Sequence, residues 1–153
     1  MNAQDQAGNT NSLTNSYSVQ YSTSCGRSVL QPLQQVNDPS GLTKRYKLGS
    51  TLPIKFQLCD YNGKFIGPTK ATLTVYLVGT TVDIVDTLVN LDSGASNDNG
   101  NLFRYDPVAQ QYIYNLSTKS TTSPWKWSAP ATYKIVITLD DGTQITTYFE
   151  LSK

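Results

Sequence analysis

Short runs of alternating apolar and polar residues set the rhythm of this chain. Ile54, Phe56 and Leu58 fall on one side of an extended backbone, and Lys55, Gln57 and Cys59 on the other. Leu73, Val75 and Leu77 repeat the pattern against Thr72, Thr74 and Tyr76. Tyr133, Ile135, Ile137 and Leu139 do so again, and Ile145, Thr147, Phe149 and Leu151 close the series. Turn chemistry separates the runs: Asp60-Tyr61-Asn62-Gly63 and Asp140-Asp141-Gly142 supply the residues that tolerate positive φ in tight hairpins. Weaker strands are expected near 17–23, 43–48, 81–89, 101–106 and 110–116, and no segment carries a helical period. The pattern predicts an all-β, immunoglobulin-like β-sandwich of about seven to nine antiparallel strands.

The length of 153 residues allows one domain with a sizeable core. Residues 1–16 are polar and aperiodic, which predicts a flexible leader or linker ahead of a single domain over 17–153. That leader has neither a basic nor an apolar region of the kind an export signal needs, so an export signal is expected to lie outside this chain. No stretch approaches the length of apolar sequence that a membrane span requires.

Charge narrows the function classes. Twelve basic and 11 acidic side chains leave a net charge of +1, too little for a nucleic-acid partner. There is no histidine, which removes imidazole acid–base chemistry and histidine-ligated metals. Two cysteines alone do not make a structural zinc site. They are expected as one disulfide or as two buried thiols, and the Cys25–Cys59 disulfide is the reading carried forward. In the chain-entropy model such a bridge stabilises by roughly 3–4 kcal/mol.

Several separated phrases resemble the PxKF domain family. They are KLGSTLPIKFQLCDYNG (47–63), NGNLFRYDPVAQQYIYNLSTK (99–119) and ATYKIVITLDDGTQITTYFEL (131–151), with CGRSVLQPL (25–33) upstream. The Pro-x-Lys-Phe signature matches Pro53, Ile54, Lys55 and Phe56, and the resemblance spans roughly residues 20 to 152. It implies a module of secreted or surface-attached bacterial proteins, without a catalytic activity and without functional residues to carry over. The chain departs from the family at 120–130, STTSPWKWSAP, a longer connection holding both tryptophans.

Six groups of residues invite a chemical reading. Lys55, Cys59 and Asp60 look like a reactive cluster, but alternation turns Lys55 outward and Asp60 begins a turn, so no catalytic residue is expected. Trp125 and Trp127 flank Lys126 at a spacing that sends both rings to one side of an extended segment. The expectation is that the indoles cap the core. The alternative is a carbohydrate-binding module in which Trp125, Lys126 and Trp127 contact a glycan or partner. Asp92, Asn97, Asp98, Asn99 and Asn101 gather oxygen donors, yet they match no EF-hand spacing. A polar turn accounts for them, with calcium as the one cofactor to test. A Lys55 isopeptide crosslink with Asn115 and Glu150 and a glycosylation sequon at Asn115-Leu116-Ser117 are weaker readings, as is a local Arg104–Asp106 pair. The function expected is a non-catalytic extracellular or cell-surface module with a structural, adhesive or assembly role. Its partners are expected to be another protein or copies of itself, with no membrane insertion.

Overall fold

The computed structural model describes Tyr21, Cys25 and residues 29–79, 87–88, 100–119 and 127–153, with the side chains of 87 and 88 excepted. Eight strands follow one 3-10 turn at Pro39–Gly41. They are β1 (Arg45–Lys47), β2 (Thr51–Phe56), β3 (Ala71–Leu77), β4 (Thr87–Leu88), β5 (Arg104–Asp106), β6 (Gln111–Ser117), β7 (Ala131–Leu139) and β8 (Gln144–Ser152). Two sheets form, ordered β1-β8-β7-β3-β4 and β2-β6-β5.

The alternating stripes determine which faces meet. Leu52, Ile54 and Phe56 of β2 and Tyr112, Tyr114 and Leu116 of β6 point inward from the small sheet. Leu73 and Val75 of β3, Tyr133, Ile135 and Ile137 of β7, and Phe149 and Leu151 of β8 answer from the large one. Aromatic rings fill both ends of the interior. Phe56 stacks on Tyr112 at 4.8 Å and meets Phe103 edge-on at 5.0 Å, while Tyr133 stacks on Phe149 at 5.2 Å.

Both flanks of the sandwich are closed by segments that cross between the sheets. On one flank, Phe103 N–H donates to Ala71 in the large sheet before the chain enters β5 of the small one. On the other, Leu30 N–H donates to Lys55 of β2, and Val36 N–H donates to the buried Thr147 hydroxyl of β8. Thr147 in turn donates to Gln34 carbonyl at 2.9 Å, so its hydroxyl is fully employed at 0 % exposure.

Two local expectations change. Not all pairing is antiparallel: β1 runs parallel to β8, with Arg45 opposite Glu150 and Lys47 opposite Ser152. The turn at Lys47–Ser50 explains it. β2 starts beside Ser117 and runs away from that end, so the strand leading into the turn must finish there, as β8 does. Cys59 does not continue the outward alternation of Lys55 and Gln57. The β2 ladder ends at Phe56, and Leu58 and Cys59 are both buried. Of the weak strands, 81–89 is described only at Thr87–Leu88, and Tyr21 carries no strand geometry. The leader 1–16 lies outside the described residues.

The loop between β2 and β3 depends on glycine. A Cβ built on Gly67 falls 2.2 Å from Tyr105 Cζ and 2.3 Å from its Cε2, far inside van der Waals contact with the ring. Gly67→Ala is therefore expected to destabilise the domain by about 1–3 kcal/mol, read as an earlier midpoint in urea at unchanged slope. Tyr105→Ala in the same chain removes the clash, so a double variant no worse than Tyr105→Ala alone confirms the cause.

Candidate functional site

The hairpin turns 60–63, 107–110 and 140–142 gather at one end of the sandwich, held by the loop 66–70. Ile66 N–H donates to Leu58 carbonyl at 2.9 Å. Tyr112 hydroxyl donates to Ile66 carbonyl and accepts Thr69 N–H at 3.1 Å. Thr69 Oγ1 donates to Asp140 Oδ2 at 2.6 Å. That donation uses the one threonine proton, so Tyr21 hydroxyl is the donor in its 3.1 Å contact with Thr69 Oγ1. The hydroxyls of Tyr21 and Thr69 thus form a relay ending on the Asp140 carboxylate, and Tyr112 hydroxyl clamps the backbone of the same loop.

The relay shifts the acidity of its members. Thr69, and then Tyr21, hold the Asp140 carboxyl below the usual aspartate value. The Thr69 hydroxyl would lower the Tyr21 value only by donating to it, and its proton is committed to Asp140; burial and the carboxylates of Asp140 and Asp141 raise the phenol above ordinary. Burial pushes Tyr112 up to about 12. Thr69→Val is expected to raise the Asp140 value toward that of a free aspartate, as followed by its side-chain carboxyl resonance. Because a depressed carboxyl stabilises above its unfolded value and stops doing so as pH falls through its folded one, the variant also loses some of this acid-side sensitivity. The stability change stays at or below about 0.5 kcal/mol, since Asp140 faces solvent. An unchanged Asp140 titration in Thr69→Val refutes the relay.

Beside the relay, Lys70, Thr72, Thr138, Leu139 and Asp140 line an open recess of about 270 Å³. The large sheet's outer face carries a row in which Tyr76, Lys134 and Tyr148 stand in register across β3, β7 and β8. Lys134 Nζ sits 5.6 Å over the Tyr76 ring. Neither feature has a signal in local sequence, because each depends on strand pairing.

The cluster that looks reactive in sequence is dispersed into structural work. Cys59 is bonded to Cys25, as expected, with a Cα–Cα distance of 5.8 Å. Asp60 Oδ1 accepts the N–H groups of Asn62 and Lys64 at 2.8 and 3.0 Å and so shapes its own turn. Lys55 points outward from β2, and its carbonyl accepts Leu30 N–H at 2.7 Å. Pro53 has a role in the same edge. Thr118 N–H donates to Ser50 carbonyl, so alternate residues from Ser50 onward face β6, and Pro53, like Lys55, faces the edge away from β6 that the Leu30 segment borders. A residue without an N–H sits where an unpaired donor would otherwise invite another strand.

Trp127 lies where the core-capping expectation puts it and not as one ring of the alternative, an exposed platform. It is only 6 % exposed, with its ring 4.8 Å from Tyr133 and 6.3 Å from Phe149, so packing against the core leaves no face for a ligand. Trp125 and Lys126 lie outside the described residues, as do Asp92, Asn97, Asp98 and Asn99 of the calcium loop. Asn101 is placed on the flank of β3, where its carbonyl accepts Leu73 N–H at 2.8 Å and its Nδ2 donates to Leu73 carbonyl at 3.3 Å. Lys55 and Asn115 share the outer face of the small sheet as diagonal neighbours. Glu150 belongs to the other sheet, 3.1 Å from Arg45, so the isopeptide triad is not assembled. Asp106 Oδ1 receives the N–H groups of Val108 and Ala109, a turn cap in place of the local pair with Arg104.

Among the described residues, no helix is long and apolar enough to cross a membrane. Comparison with protein-family models, curated proteins and solved structures finds no match for this chain.

Proposed function

We propose that this chain is a non-catalytic extracellular module of immunoglobulin-like β-sandwich type. Its role is structural, adhesive or assembly-related, within a larger secreted or cell-surface bacterial protein. The observation that carries the reading is the employment of the Lys55–Cys59–Asp60 corner. The thiol is spent in a disulfide, the carboxylate in a turn, and the lysine stands on an outer sheet face. A disulfide tying a polar lead-in segment to the end of β2 suits an oxidising compartment. The likeness of Pro53 to Phe56 to the PxKF signature points the same way, and Pro53 on the edge of β2 away from β6 gives that signature a physical reason.

The test is thiol counting on protein taken from its native compartment and alkylated at once. The expected result is no reactive thiol before reduction and two after. Two free thiols in native material defeat the extracellular assignment. Turnover in a hydrolase screen that disappears in Lys55→Ala or Asp60→Asn defeats the non-catalytic one.

A further inference from the structure

A pull on a β-sandwich is resisted according to where it enters. Ladder bonds run across the strands, so a force along the strands loads every register pair together. A force across one end breaks the same bonds one after another. In this chain the two points of attachment lie at opposite ends. β8 starts at the 140–142 turn and finishes one residue before Lys153, and its nine residues set the ends roughly 30 Å apart. Chain arriving from the N-terminal side is joined at Cys25 to Cys59, which lies past β2 at the turn end. Tyr21 fastens the same approach to Thr69 of the loop there. From Cys59 the chain continues through the 60–70 loop into Ala71, the turn-end residue of β3. Tension therefore draws β3 toward the turn end and β8 toward the other. Between them lies β7, with seven register pairs to β3 and eight to β8. β1 adds three more pairs on the far side of β8. The segment that the bridge bypasses is held more sparsely. Among the described residues, Leu30 N–H donates to Lys55 carbonyl, Gln35 Nε2 to Thr146 carbonyl and Val36 N–H to Thr147 hydroxyl, isolated bonds in place of a ladder.

We propose that this domain bears tension along its parent chain, and that the Cys25–Cys59 bridge routes that tension past the lead-in segment onto the ladders on both sides of β7. The bridge keeps the intervening chain, β1 and β2 included, out of the stretched path. The inward rings of β2 and its neighbours thus stay on the core while β3 and β8 are pulled. Without the bridge, tension enters the isolated lead-in bonds and then the three β1–β8 pairs. The inference rests on the place proposed above for this chain within a larger surface protein, and it deepens the structural role by giving it a direction.

Single-molecule pulling of the intact, oxidised chain between handles at its two termini tests it. A comparison geometry puts one handle at position 119, on an azide-bearing side chain in place of the exposed Lys119, and the other at the C-terminus. Both then pull at the same end of the sandwich, where β6 and β8 finish. The terminal pull is expected to need at least about twice the force of this comparison at one pulling speed, because forced unfolding follows the barrier along the path that is loaded. Equal forces in the two geometries overturn the tension path. A handle at position 61, in place of the exposed Tyr61, reads the routing without reduction. The oxidised chain is expected to rupture at the same force from the N-terminus as from position 61, and a weaker N-terminal pull overturns the routing. With a dithiol reductant the terminal pull is expected to lose at least about half its force. The freed separation of 34 residues adds about 110–120 Å of extension. A reduced chain that holds the oxidised force overturns the routing as well. Equal forces in a chain that has no native free thiol sink the tension path alone. Free thiols in native material sink the extracellular reading and spare the force contrast of the oxidised chain.

Discussion

Phe56→Ala is expected to cost about 3–5 kcal/mol and to lower the melting temperature by on the order of 10–15 °C. The ring is fully buried, stacked on Tyr112 at 4.8 Å and edge-on to Phe103 at 5.0 Å, so truncation opens a void between the two sheets. Its neighbour Lys55 provides the control. Lys55→Ala removes an outward-pointing side chain while leaving the backbone bond from Leu30, and should stay within about 0.5 kcal/mol of the parent. Urea unfolding of the two variants side by side decides the point. Equal losses at both positions contradict the inside–outside assignment of β2, and with it the way Pro53 to Phe56 serve this fold.

Loss of the Cys25–Cys59 bridge ranks next. It spans a sequence separation of 34, for which the chain-entropy model gives roughly 3–4 kcal/mol. Reduction is the cleaner experiment, because Cys59 is buried and a smaller residue there adds a cavity cost of its own. Oxidised and reduced chains compared in guanidinium should differ mainly in midpoint. A second readout follows from the relay. Tyr21 lies four residues before Cys25 and donates to Thr69, so reduction should also move the Asp140 titration toward that of Thr69→Val. A full loss of stability with an unmoved Asp140 resonance separates the bridge from the relay. Reduced protein as stable as oxidised refutes the structural role of the bridge.

The period-two stripes of β2, β3, β7 and β8 were legible because side-chain direction in a strand is a property of the backbone itself, whereas β6 was expected only as a weaker strand near 110–116. The turns at Asn62-Gly63 and Asp141-Gly142 were equally local, and the glycines do adopt φ of 79° and 85°. Lys55 outward, Asp60 in a turn and Cys59 joined to Cys25 could therefore be anticipated from residue type and spacing. Pairings over long sequence distances had no such signal. The Thr69–Asp140 bond spans 71 residues, and the contact of Tyr105 with Gly67 depends on β5 being placed beside β6 in the small sheet. The parallel β1–β8 pair arises from the turn that feeds β2, which no property of the sequence RYK announces. The fate of Trp127 likewise rested on what lay beneath it. An i, i+2 spacing orients two rings alike, but only the position of Tyr133 and Phe149 decides that the described one is buried.

What the sequence determined alone is the class: all-β, charge-poor, without histidine, with the large rings on the faces that meet. The tertiary structure decided which polar groups became neighbours. The physical reason is that alternation acts within one strand, whereas the hydroxyl relay exists only once separate strands are brought into register.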